Sequence, residues 1–166
     1  MRLPIQLLGL LIAAVLLTGC GFHLRGQAAM QFKTLYLDAA NPGTSLIREL
    51  RSNLESNKVE LLDSPKQADV VLNIVSEIPD KQILTLDASG RVNEFELYYR
   101  VSLRAYDQQQ NVLIPAEVIV MHVDFPYDAN HVMAMGTQES MLYQGMRTDM
   151  VQRIVQRLSR IKLKPK

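Results

Sequence analysis

From Val92 to Tyr106 apolar and polar residues alternate over most of the segment. Phe95, Leu97, Tyr99, Val101, Leu103 and Ala105 hold the odd positions; Glu94, Glu96, Arg100, Ser102 and Arg104 hold the even ones, with Tyr98 among them. Side chains of a strand point alternately to its two faces, so this pattern predicts a long strand with one face on a core and the other toward water or a partner. Asp107 to Asn111 is a polar turn, and a second long strand runs from Val112 to about Phe125. The two form a predicted hairpin, with Pro115 at an edge or bulge because it has no N–H to give.

Upstream, Phe32 to Asp38 alternates as a shorter strand, with Lys33, Leu35 and Leu37 on one side. Asn41-Pro42-Gly43 breaks it, and Thr44 or Ser45 caps a helix to about Asn57. Leu46, Ile47, Leu50 and Leu54 recur at helical spacing and form its buried face. Val59 to Leu62 is short and apolar, and Asp63 to Lys66 is a turn. Ala68 to Val75 predicts another strand, which Pro79-Asp80 interrupts before Ile83 to Leu86 resumes the same path. Asp87-Ala88-Ser89-Gly90 is a turn. After Phe125, Asp128 or Asn130 caps a long helix to about Arg160. Its stripe is Val132, Met135, Leu142, Met146, Met150, Ile154, Leu158 and Ile161. The methionines between Met133 and Met150 fit either core or an adaptable binding surface. The order of elements implies an α+β, two-layer sandwich: a mostly antiparallel sheet of about four strands with two helices on one face.

The first 31 residues obey a different pattern. Arg2 is followed by an apolar run from Leu3 to Leu17. That run is about 15 residues, short of the ~20 that span a bilayer as a helix. Leu17-Thr18-Gly19-Cys20 has the form of a lipobox. A signal peptidase needs small residues before the cut and a thiol to carry lipid, so residues 1–19 read as a cleaved export signal. Cys20 then carries an N-acyl and an S-diacylglycerol group, the only non-protein group expected. Two or three chains anchor firmly where one does not. Residues 20–31 form an acylated tether and 32–166 a single domain.

Composition narrows the functional classes. Loss of Arg2 on cleavage leaves the 17 acidic residues balanced by basic ones, so nothing in the net charge attracts nucleic acid. Cys20 is the only cysteine; with lipid on it, no disulfide forms. His23, His122 and His131 are scattered, and His122 sits on a predicted strand in a structural rather than basic role. There is no G-x-S-x-G, no H-E-x-x-H, no phosphate loop and no Cys/His ligand cluster. Glu94 and Glu96 share a strand face where solvation is the ordinary state. No catalytic residue and no metal ligand emerge, and the chain reads as a non-enzyme.

Cys20-Gly21-Phe22-His23-Leu24-Arg25-Gly26 resembles the mature start of the LptE family, lipopolysaccharide-assembly lipoproteins of the Gram-negative outer membrane. The order of elements and the length are similar as well. The resemblance implies a sheet with two helices packed against it, seated as a plug inside the LptD β-barrel and delivering lipopolysaccharide to the outer leaflet. Gly21, where an Asp would retain a lipoprotein in the inner membrane, implies the outer membrane. Gly21, Phe22, Leu24 and Arg25 would hold the tether near membrane and barrel. The family's ligand implies that Lys81 and Arg91, flanking the loop at the sheet end, pair with lipopolysaccharide phosphates; ordinary solvated charge is the other reading. Arg153, Arg157, Arg160, Lys162, Lys164 and Lys166 either complement the dipole of the last helix or meet anionic lipid. The alternative function is a free-standing outer-membrane lipoprotein that binds a small ligand or peptidoglycan, which would require a concave apolar pocket.

Overall fold

A computed structural model describes residues 30–163. The expected export signal over residues 1–19 and the motif Cys20, Gly21, Phe22, Leu24 and Arg25 lie outside the described residues, as do Lys164 and Lys166. Strand β1 (Thr34–Ala39) leads through Asn41-Pro42-Gly43 into helix α1 (Ser45–Ser56). The Thr44 hydroxyl caps that helix by accepting from the Ile47 N–H at 3.3 Å, which satisfies one of its orphan donors. Leu46, Ile47, Leu50 and Leu54 are its buried residues, as their spacing requires.

Strand β2 (Glu60–Leu61) follows, then β3 (Val70–Leu86), β4 (Val92–Tyr106), β5 (Val112–Pro126) and helix α2 (Val132–Ser159). The sheet has five strands in the order β2-β1-β3-β4-β5. The expected four become five because the apolar Val59–Leu62 segment contributes a two-residue strand parallel to β1. β1 also runs parallel to the start of β3, while the long β3, β4 and β5 ladders are antiparallel. The Val92–Tyr106 strand matches its alternation: Leu97, Tyr99, Val101, Leu103 and Ala105 are all buried.

Pro79 does not interrupt β3. The strand passes through it in register with Tyr99. β1 leaves β3 at Ile74, so beyond that point β3 has one neighbour, and the missing N–H disturbs at most one ladder. A register shift between Ile74 and Ser76 accompanies the departure of β1.

The helix after β5 also starts differently from expectation. Asp128 accepts from the Asn130 N–H at 2.8 Å and caps a 3₁₀ turn over Ala129–His131. α2 itself begins at Val132 with no side-chain cap bond. Its stripe divides: Met146, Met150, Ile154, Leu158 and Ile161 are buried, whereas Val132 is 58% exposed. The methionines divide in the same way, with Met150 fully buried and Met133 90% exposed.

One hydrophobic core joins both helices to the odd face of β4. Two ion pairs brace the helical layer: Arg147 of α2 to Glu49 of α1 at 3.6 Å, and Arg157 of α2 to Glu117 of β5 at 3.1 Å. β3 is roughly 55 Å long at ~3.3 Å per residue. Its first turns of chain, with β1, β2 and α1, make a thick base. Its last residues, with the start of β4, make a thin tip.

Candidate interaction surface

Both helices pack on the odd face of β4, so its even face has no covering layer among the described residues. Register places the residues of that face in rows across three strands. Ile78, Arg100 and Val120 make one row; Asp80, Tyr98 and His122 the next; Gln82, Glu96 and Asp124 the third. A connected polar strip crosses them. Arg100 pairs with Asp80 at 3.1 Å and lies 4.4 Å from the centre of the Tyr98 ring. The Tyr98 hydroxyl donates to Glu96 at 2.6 Å, and His122 stands 4.0 Å from the same carboxylate. The hydrogen bond to Glu96 pushes the Tyr98 hydroxyl above its ordinary pKa, because it favours the protonated phenol. Bonds from Gln82 and then Arg100 hold the Asp80 carboxyl below its ordinary range. Val118 (57%), Val120 (45%) and Ile78 (49%) stand exposed beside the strip. The surface is mixed in charge with apolar islands, and its charges are met by polar neighbours in the same strand and the next.

The tip carries the two basic residues singled out above, and the structure does not bring them together. Lys81 is not at the loop. β3 continues to Leu86, so Lys81 lies about 17 Å of strand short of the turn. It faces the helical layer, paired with Glu139 of α2 at 2.8 Å and 4.8 Å from the centre of the Phe95 ring. Arg91 does sit at the turn, with its side chain 77% exposed. Its Nε donates to Ser89 at 3.0 Å and stands 3.4 Å from Asp87. Arg91 is therefore the basic group presented to solvent, and Lys81 ties the hairpin to α2.

Of the histidines, His122 is on the open face, not in the core; its side chain is 62% exposed. His131 pairs with Asp128 at 2.7 Å, and that contact, after the Asn130 backbone bond, holds the Asp128 carboxyl low. His23 lies outside the described residues. In the last helix Arg157 is committed to Glu117, while Arg153 and Arg160 are exposed.

Two features escaped the sequence. The first is an interior polar pair: the Tyr99 hydroxyl donates to the Glu77 carboxylate between β4 and β3. Burial and that bond push the Tyr99 hydroxyl far above its ordinary pKa. Tyr99 falls among the apolar odd positions, and its phenol gave no sign of a partner in β3. The second is the exposed run Ile83 (59%), Leu84 (42%) and Leu86 (57%) at the tip. Its signal was legible: apolar residues at consecutive positions break the alternation of a half-buried strand.

No group of three or more His, Cys, Asp or Glu side chains could hold a metal among the described residues. No described helix is long and apolar enough to cross a membrane. A groove of about 360 Å³ runs beside α2, lined by Gly136, Glu139, Ser140, Tyr143, Gln144 and Arg147; its lining is polar. Fold and surface together define a two-layer α+β domain that presents a broad sheet face and a projecting hairpin.

Comparison with known proteins gives the class its family. The LptE model, described as lipopolysaccharide-assembly, matches residues 32–158. The LPS-assembly lipoprotein LptE of Pectobacterium atrosepticum is 29% identical over 161 residues, spanning 95% of this chain and 85% of its own. The solution structure of a lipoprotein B from Nitrosomonas europaea superposes with a TM-score of 0.72 at 32% identity, covering 84% of this chain and 90% of that one. The rare lipoprotein B of Shewanella oneidensis shares the fold, with a TM-score of 0.68 at 24% identity over 75% of this chain and 92% of its own. The chain belongs to the LptE family of lipopolysaccharide-assembly lipoproteins. Its role is in lipopolysaccharide assembly, and that role is not enzymatic.

Proposed function

We propose that this lipoprotein is held in the outer membrane by lipid on Cys20 and plugs the LptD β-barrel, where it helps deliver lipopolysaccharide to the outer leaflet and binds it. The observation that carries the proposal is the uncovered sheet face. A face of paired charges with exposed Val118, Val120 and Ile78 suits the polar lumen of an outer-membrane barrel. The tether motif Gly21, Phe22, Leu24 and Arg25 precedes β1 in the sequence, and β1 belongs to the base. Phe22 and Leu24 supply apolar contact near the membrane, and the hairpin tip projects from the opposite end of the sheet.

Within that proposal Arg91 is the lipopolysaccharide-contacting residue of the tip, through its exposed guanidinium and the phosphates of the ligand. Lys81 contributes by positioning the hairpin against Glu139. The free-standing alternative asks for a concave apolar pocket; the groove beside α2 is polar and does not supply one.

The test is a mild-detergent pull-down from outer membranes with a C-terminal tag on the full-length chain. A near one-to-one complex with a heat-modifiable barrel, stable to high salt, is the expected result. Recovery of the lipoprotein alone, even after crosslinking, would remove the plug and favour the free-standing reading. Charge reversal at Arg91 then tests ligand contact: lipopolysaccharide retention should fall while barrel recovery stays.

A further inference from the structure

The sheet has four stretches of unpaired backbone edge among the described residues, and they differ in kind. β1 beyond its pairing with β2 at Leu35 presents only Tyr36 to Ala39, too short to hold a long partner strand. β2 presents two residues, too few to template a partner. β3 loses its β1 neighbour after Ile74, but this edge is blunted. Pro79 lies in it, register shifts flank it, and the Tyr143 hydroxyl of α2 donates to the Asp80 carbonyl at 2.7 Å. β5 is the outermost strand on the other side. From Glu117 to Pro126 it pairs with β4 without a register shift. Prolines stand only at its two ends, Pro115 and Pro126, and no lysine or arginine occurs between Ala116 and Pro126. Natural edges are usually blunted by lysine, proline or bulges. This one is straight and β-prone, and along it Val118 and Val120 are exposed on the open face.

From this contrast we infer that the β5 edge between Glu117 and Phe125 receives an extended segment of the barrel partner, which adds as a sixth strand. The inference rests on the plug reading and deepens it by naming the contact. Main-chain hydrogen bonds supply the attraction, and alternate side chains supply the selection. The incoming strand places apolar side chains over Val118 and Val120. Near Asp124, where Glu96 stands in the adjoining strand, it places a basic one. A second copy of this chain fits less well, because it would set the same acidic, lysine-free strip against itself.

The test uses the full-length lipidated chain, in which Cys20 is the only native cysteine. Val118→Cys, Val120→Cys and His122→Cys each add one thiol on the open face of the edge. Cysteines are then scanned through extended segments of the co-purified barrel. Strand addition requires that the crosslinked barrel position step by two each time the thiol moves by two. Crosslinks that do not step, or that never form, would overturn the inference. Charge insertion gives an independent readout. The pair Val118→Lys and Val120→Lys should lower barrel recovery at least tenfold, whereas Ile78→Lys, on the same lumen-facing surface but at the blunted edge, should lower it clearly less. Equal losses from both would assign the contact to the face and not the edge. A dimer of this chain, abolished by the lysine pair, would replace the barrel segment with a second copy. If the unsubstituted chain brings down no barrel, the plug reading itself has failed.

Discussion

The base and the tip of this domain share the long strands β3, β4 and β5 and are held in different ways. At the base, Leu35, Leu46, Leu50, Leu54, Leu72, Ile154 and Leu158 are all fully buried between two helices and the sheet. At the tip only the start of α2 covers the hairpin, and Ile83, Leu86 and Met133 stand in solvent. The base spends its apolar residues on its own stability, and the tip leaves them exposed for something else. Ring contacts replace layered packing there: Phe95 sits 5.1 Å from Tyr127 and 6.5 Å from Phe125.

The largest effect should come from truncating the same residue type in both regions. Leu50→Ala at the base removes a fully buried side chain and should cost about 2–5 kcal/mol, the usual range for a leucine cavity. Leu86→Ala at the tip should fall within about 0.5 kcal/mol of wild type. Denaturant unfolding of the chain in mild detergent measures both. Similar losses at the two positions would mean that the tip has hidden packing and that the contrast is false.

That contrast also explains what the sequence made legible. Leu46, Ile47, Leu50 and Leu54 were readable as a face because helical periodicity and burial coincide there. The odd positions of β4 were readable for the same reason at period two. Legibility failed where a tertiary neighbour decides the outcome. Pro79 looks like a strand end, but β4 templates the chain straight through it. Lys81 looks like a loop residue, because its strand was expected to stop early. The Tyr99–Glu77 bond joins residues far apart in sequence, and no spacing rule finds it. Val132 and Met150 lie on one stripe of one helix, and only what packs against each end of that stripe separates exposed from buried.

Tyr99 marks the boundary between the two regions and offers the next test. Tyr99→Phe keeps the ring and strands the Glu77 carboxylate, whose second oxygen already lacks a partner. The loss should be about 1–3 kcal/mol, the cost of leaving a buried acceptor unmet. The hydroxyl's pKa is raised in the folded chain above its ordinary 10.0. Its contribution is therefore complete below pH 10 and is lost above it, as the unfolded phenol ionises while the folded one does not. Wild type should lose stability more steeply than Tyr99→Phe above pH 10. Parallel curves would show that the bond contributes nothing.

A smaller effect separates two turns of like design at opposite ends of β4. Asp87 accepts from the Ser89 and Arg91 N–H groups at 2.8 and 3.0 Å; Asp107 accepts from Gln109 and Asn111, both at 2.9 Å. Both turns need a left-handed residue in the fourth place, Gly90 at φ 79° and Gln110 at φ 65°. Glycine takes that conformation freely, whereas a side chain is strained there. Gly90→Ala should cost about 1 kcal/mol, and its Cβ would meet no atom within 4 Å, so the cost is backbone strain. Gln110→Gly should gain a similar amount. If both substitutions destabilise, the side chain of Gln110 has a role beyond the turn.

The smallest effect is the most informative about the tip. Lys81 and Glu139 form a partly exposed pair at 2.8 Å, and such pairs contribute about 0–1 kcal/mol. Lys81→Met keeps the stem over Phe95 and removes the charge, so global stability should change by only a few tenths of a kcal/mol. Hydrogen exchange should show more. The pair and the Tyr143–Asp80 bond link the hairpin to the first half of α2, and loss of one should speed exchange from Ile83 to Phe95 while the base stays protected. Faster exchange confined to the tip would establish that the hairpin opens independently of the base. Unchanged exchange would mean that the aromatic cluster of Phe95, Phe125 and Tyr127 holds the tip without help from charge.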